Sequence, residues 1–198
     1  MAESNLDRLS AQIGFTACDI YMCLCSTLDE KKEEIKQLKL NEFESKKDTL
    51  ISEIKKRTNT TDTEFIEEIV GAIVFDRIKR NKDPSKAFEE FKKNLPKFDA
   101  KEMERIITKS LGILIEDGLL AYAIWLESEN KDPHKVITVS SLKILTDTNL
   151  ISNKMSNLRD VMLEISSSIQ KTLLARQLLE RMLIYARYRA KALQKGSD

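Results

Sequence analysis

The chain has 198 residues, enough for one domain or one and a half with a sizeable buried core. Lys and Arg number 33 against 32 Asp and Glu, so the net charge of +1 excludes a globally basic nucleic-acid binder and leaves room only for a local basic patch. Five Gly and three Pro leave few turns and favour long helices.

The opening MAESNLDRLSAQ has neither a basic n-region nor an apolar h-region, so no signal peptide is expected. Leu6, Leu9, Ile13, Ala17, Ile20, Leu24 and Leu28 recur at steps of three and four, which predicts one long helix capped by Ser4 or Asn5. Cys18, Cys23 and Cys25 are odd in number and clustered, as reduced thiols of a cytoplasmic protein would be. Their spacing is not that of a zinc site. On a helix Cys23 points about 140° away from Cys18. Buried thiols with no metal and no disulfide are predicted.

DEKKEEIKQLKLNEFESKK is charged on most sides, with Ile35, Leu38 and Phe43 as sparse apolar positions. It reads as a solvated helical arm or a loose connection. A polar break at Asn59 to Thr63 precedes a capping-box pair, Thr61 with Glu64, and an amphipathic helix through Phe65, Ile69, Ile73 and Ile78. Asp83-Pro84 is a cap followed by proline at the first helical position. The short helix with Ala87, Phe88, Phe91 and Leu95 is stopped by Pro96. Asp99 with Glu102 is a second capping-box pair, starting the helix of Met103, Ile106, Ile107, Leu111 and Leu114.

Ser110 to Ser128 is the most apolar stretch and holds the one tryptophan, Trp125. It reads as a buried hairpin of two helices meeting at Asp117-Gly118, with Trp125 largely buried. Glu116, Asp117 and Glu127 are carboxylates, which rules against a membrane span. Asp132-Pro133 repeats the cap-then-proline device ahead of Val136, Ile137, Val139, Leu142 and Leu145. Thr146 to Asn149 breaks that helix. Ile151, Met155, Leu158, Val161, Met162 and Ile165 form another stripe, and Ser166, Ser167 and Ser168 cap the last helix, Ile169 to about Gln194. No strand pattern and no internal repeat is present. The predicted fold is all-α: one domain over residues 1–198, a helical bundle of about seven or eight helices.

Catalytic chemistry is hard to place. His134 stands alone, and the 20 residues before it contain no arginine of the kind a helical ribonuclease needs. There is no phosphate-binding glycine loop and no nucleophile elbow. Glu30 with Glu33 and Glu64 with Glu67 are carboxylate pairs of the type that helical nucleotide hydrolases use for magnesium, a remote alternative. No catalytic residue, metal or cofactor is expected. The one uneven charge distribution lies in the last helix, where Lys171, Arg176, Arg181, Arg187, Arg189, Lys191 and Lys195 face Glu180 alone. Arg176 and Arg187 fall about 20° apart, with Lys191 about 40° further round. Leu174, Leu178, Met182, Tyr185 and Ala186 fall opposite. Such a stripe suits phosphate contact, and equally helix-dipole complementation and solubility. A smaller cluster is Arg77, Lys79, Arg80 and Lys82.

From Met103 to about residue 193, with the first helix added, the chain resembles the small subunit of type III-B CRISPR effector (Cmr) complexes. The motifs are an apolar helix, Ile106 to Leu114; a Gly-Leu junction, Gly118-Leu119; a small-residue and aromatic helix, Ala121 to Leu126; a further helix, Val136 to Leu145; and a closing basic and aromatic helix, Leu173 to Arg189. Residues 40-100 exceed a compact member and would be a family-specific helical insertion. The resemblance implies a cytoplasmic, non-enzymatic subunit in antiviral defence. Its partners would be other CRISPR effector subunits, crRNA, target RNA and further copies of itself in a filament, with no membrane. The implied RNA-binding residues are Arg176, Arg181, Arg187 and Lys191, with Arg105 and Lys109 from the helix before the junction. The rival reading is a helical adaptor that binds only protein.

Overall fold

The computed structural model describes residues 2–129, 131–151 and 157–195, with side chains from residue 5 onward. Among them the chain is helical with no strand. The helices are α1 (Ala2–Glu30), α2 (Lys32–Gln37), α3 (Leu40–Ser45), α4 (Lys47–Thr58), α5, α6 (Pro84–Lys93), α7 (Ala100–Glu116), α8 (Leu119–Glu129), α9 (Asp132–Asp147), α10 (Leu158–Ile165) and α11 (Ile169–Lys195). Helix α5 runs unbroken through Thr63–Val70, a π-helical segment Gly71–Phe75 and Asp76–Lys79. No helix among the described residues is long and apolar enough to cross a membrane.

Eleven helices replace the predicted seven or eight because the charged stretch after α1 folds into α2, α3 and α4. A straight helix would set Ile35 and Leu50 about 22 Å apart at 1.5 Å per residue. Breaking it at Leu38 and Lys46 brings Ile35, Phe43 and Leu50 onto one cavity instead. Ile35 and Phe43 are buried, so the segment is not a solvated arm. The burial of a few apolar side chains outweighs the charge of the segment, because the lysines and glutamates keep their heads at the surface in pairs such as Arg57 with Glu30.

The caps differ from expectation in detail. Helix α1 already begins at Ala2, so Asn5 lies inside it. Asp62, not Thr61, caps α5, its carboxylate accepting from the Phe65 amide at 3.0 Å. Asp83 caps α6 ahead of Pro84, and Asp99 caps α7 by accepting from the Lys101 and Glu102 amides. Lys131 rather than Asp132 precedes α9. Ser168 Oγ accepts from the Lys171 amide at the start of α11, and Met155 lies outside the described residues.

The chain divides into two compact units, residues 1–18 with 99–198 and residues 19–98, and α1 contributes to both. In the first unit α11 runs antiparallel to α7. The Gln194 amide donates to the Ala100 carbonyl at 3.2 Å, and Arg176 Nη2 donates to the Ile115 carbonyl at 2.8 Å. The start of α1 crosses α11 at Gly14, where an added Cβ would meet Met182 O at 2.6 Å and Ala186 N at 2.9 Å. Phe15 and Tyr185 pack edge to face beside that crossing. Gly118, at φ +89°, turns the chain from α7 into α8. Tyr122, fully buried on α8, shares a 2.8 Å hydrogen bond with Ser141 of α9.

In the second unit Phe43, Phe75, Phe88 and Phe91 form an aromatic cluster with neighbouring centroids 4.9–6.4 Å apart. Lys92 is buried beside it. Its ammonium lies over the Phe88 ring, pairs with Glu89 and donates to the Lys36 and Leu38 carbonyls, closing the C-terminus of α2.

Candidate nucleic-acid interface

All six sequence-predicted contact residues lie in the first unit, on α7 and α11. Each has a partner within the chain. Arg176 is held by the Ile115 carbonyl. Arg187 Nε and Lys191 Nζ both approach Glu104 Oε1, at 3.6 and 3.4 Å. Arg105 grips Glu102 with two hydrogen bonds of 2.7 and 2.6 Å. Lys109 Nζ sits 5.1 Å from the Trp125 ring centroid. Arg181 stands apart from the others and points toward α1, with Asp7 Oδ1 3.6 Å away.

The helical angles of Arg176, Arg187 and Lys191 thus translate into a shared face, and that face is the seam with α7. A carboxylate and a carbonyl of α7 occupy it. The side chains of Arg187 and Lys191 keep 38% and 45% exposure, so the seam is open to solvent along its outer edge. A hydrogen bond from the Gln194 amide foremost, then the nearby cations Lys191 and Arg187, hold the Glu104 carboxyl below the usual carboxylate range. Arg105 does the same to Glu102. Two cations converge on Glu104, which leaves a local surplus of one positive charge.

The other side of α11 is the packed one. Leu178, Leu179, Met182, Leu183 and Ala186 are buried, while Leu174 is only half-buried. Tyr185 donates to Asp7 Oδ2 at 2.8 Å, which raises its own pKa. Sequence reasoning missed Glu104, Asp7 and Gln194. Their partners lie 83 or more positions away along the chain, and no local pattern marks such pairs.

Trp125 corrects an expectation. It is half-buried rather than largely buried. Its ring rests on buried His134, with centroids 4.8 Å apart, and Lys109 covers it from the other helix. Helix α8 is apolar around most of its circumference, so its pattern gave no clue to which side faces the core. His134, expected at the surface as a lone histidine in a first helical turn, is buried instead: burial lowers its pKa, and its Nδ1 has no hydrogen-bond partner.

The three cysteines are buried and not joined in a disulfide, and Cys18 Sγ donates to the Ala186 carbonyl at 3.5 Å. Among the described residues no group of three or more His, Cys, Asp and Glu side chains is placed to hold a metal ion. Glu30 is held by Arg57, and Glu33 by Lys36.

A second surface feature lies at one end of the same unit. Glu127 Oε1 accepts from the Arg159 amide at 3.2 Å, so the end of α8 meets the start of α10. Leu120 and Ile124 on α8 and Leu163 on α10 are exposed. At the same end, Ile115 closes α7, and Ile169 and Leu173 open α11, one turn from the arginine that holds Ile115. Ile169 is 76% exposed and Leu173 62%. Large apolar side chains left exposed on these helices are the kind of surface that a protein contact would cover.

Compared with protein-family models, with curated proteins and with solved structures, the chain matches none.

Proposed function

We propose that the chain is a non-catalytic small subunit of a type III-B CRISPR (Cmr) ribonucleoprotein effector, working in the cytoplasm beside other effector subunits and copies of itself. In this reading it contacts the crRNA and target RNA duplex through the phosphate backbone. One observation carries it: Arg176, Arg187 and Lys191 lie along the seam of a single antiparallel helix pair, α7 with α11. Helix α7 is about 25 Å long. The resemblance supplies the RNA, and the surplus charge at Glu104 supplies a foothold. A phosphate that displaces Glu104 inherits Arg187 and Lys191 already side by side.

The test is Glu104→Gln in the full chain. Glutamine keeps an acceptor for Gln194 and releases both cations. Anisotropy of a labelled single-stranded RNA should show affinity rising several-fold, with the slope of log K against log salt steeper by roughly one. Absence of salt-dependent RNA binding in both proteins would sink the reading.

The second reading is a helical protein-protein adaptor. It is favoured by the exposed apolar end of the first unit and by the internal partner of every candidate cation. Salt separates the two, since apolar helix contact survives salt that strips a protein from phosphate.

A further inference from the structure

The second unit contains a feature that neither reading uses. A partly open cavity of about 170 Å³ lies between α1, α2, α3, α4 and α5. Its walls are Leu28, Ile35, Leu38, Phe43, Leu50 and Phe75. The lining is mostly apolar, with Thr49, Lys31, Glu34 and Lys46 as its polar members, and protein interiors leave few voids larger than a water molecule. An engineered cavity of about 150 Å³ with similar lining takes up benzene.

Two further observations bear on the site. Phe75 closes the π-helical segment of α5, and its ring stacks on the Phe43 ring with centroids 5.7 Å apart. π segments inside α-helices are rare and concentrate at functional sites. The mouth carries Lys31, Lys46 and Glu34, and Lys47 Nζ lies 5.8 Å from the Phe75 centroid on the far side of that ring. Lys46 pairs with Glu34 across the mouth, and Lys31 is paired with Glu53 at 2.5 Å. These pairs are exposed, so opening the strap between Lys46 and Glu34 is cheap. The lining itself carries two lysines, Lys31 and Lys46, against one glutamate, Glu34.

We propose that this cavity is a binding site for a small amphiphilic anion: an apolar body of about six to eight carbons in the cavity, with a carboxylate head on Lys46 at the mouth. The back wall is preformed, because the buried Lys92 ammonium holds the α2 carbonyls in place. The short helix α3, which carries Phe43 and ends at Lys46, forms the yielding side. Binding exchanges the Glu34 partner of Lys46 for the ligand head.

The probe is octanoate, with acetate as head alone and octanol as body alone, added to the full chain. Methyl NMR should show saturable shifts at Leu28, Ile35 and Leu50 with octanoate, weaker ones with octanol and none with acetate. Leu50→Phe fills the cavity and should abolish the octanoate response while the protein stays folded. Should that variant fail to fold, Lys46→Gln is read instead. It should weaken octanoate about ten-fold and leave octanol unchanged. Equal responses to octanoate and acetate, shifts confined to other methyls, or undiminished octanoate binding by both variants would overturn the proposal.

Discussion

At Gly14 the first helix approaches the last so closely that any side chain would collide with backbone. An added Cβ meets Met182 O and Ala186 N at distances no real Cβ keeps. We expect Gly14→Ala to cost about 1–3 kcal/mol, since helices α1 and α11 must part to admit it. Gly112 is the internal control: nothing lies within 4 Å of its absent Cβ. Gly112→Ala should stabilise by about 0.5–1 kcal/mol through helix propensity. Denaturant midpoints of the pair read both signs. His134 makes a second case. Its pKa is lowered by burial, so the unfolded chain binds the proton more readily than the fold does. Stability is therefore complete above the usual histidine value, about 6.5, and falls as pH drops through the window below it. Replacing it with phenylalanine keeps a ring against Trp125 and should flatten the melting temperature between pH 7 and pH 5. A wild-type curve already flat there would show that the Nδ1 atom finds a partner in solution.

Among the elements, α11 decides how the basic stripe is read. Its periodicity foretold a buried face and a charged face, and both exist. What the pattern could not convey is that the charged face lies against Glu104 and the Ile115 carbonyl, because a stripe carries no information about its opposite number. The same limit explains the region between α1 and α5. Sparse apolar residues at Ile35, Leu38 and Phe43 look like a solvated helix until the chain breaks and gathers them. Asp83-Pro84 and Gly118 were legible because caps and positive φ angles are local demands. Replacing Arg176, Arg187 and Lys191 together with alanine should leave helicity unchanged, since Leu178, Leu179, Met182 and Leu183 hold the other face. The half-exposed pairs are worth about 0.2–1 kcal/mol each. Circular dichroism and a denaturant melt should show intact helix with a loss of roughly 1–3 kcal/mol. If phosphate contact is the function of the stripe, the same variant flattens the salt dependence of RNA binding by about one per contact removed.

For the molecule as a whole the near-zero net charge matters as much as any single helix. With 33 cations against 32 anions, long-range steering toward RNA is weak, so any phosphate contact must come from a local patch. Three or four such contacts give little affinity at physiological salt. Useful affinity then needs several copies on one strand, or other subunits, acting together. The exposed apolar end of the first unit suits such assembly. Leu163→Glu with Leu173→Glu puts carboxylates on that end without touching the core, for both side chains are already more than half exposed. The double variant should melt within about 0.5 kcal/mol of the parent. It should lose association with whichever protein co-purifies with the parent chain. Raising salt from 0.05 to 0.5 M should leave the parent's protein association standing and remove its RNA binding, because only the latter releases counterions. An assembly that dissolves in salt yet ignores both glutamates would move the interface off the apolar end and onto the ion pairs of α7 and α11.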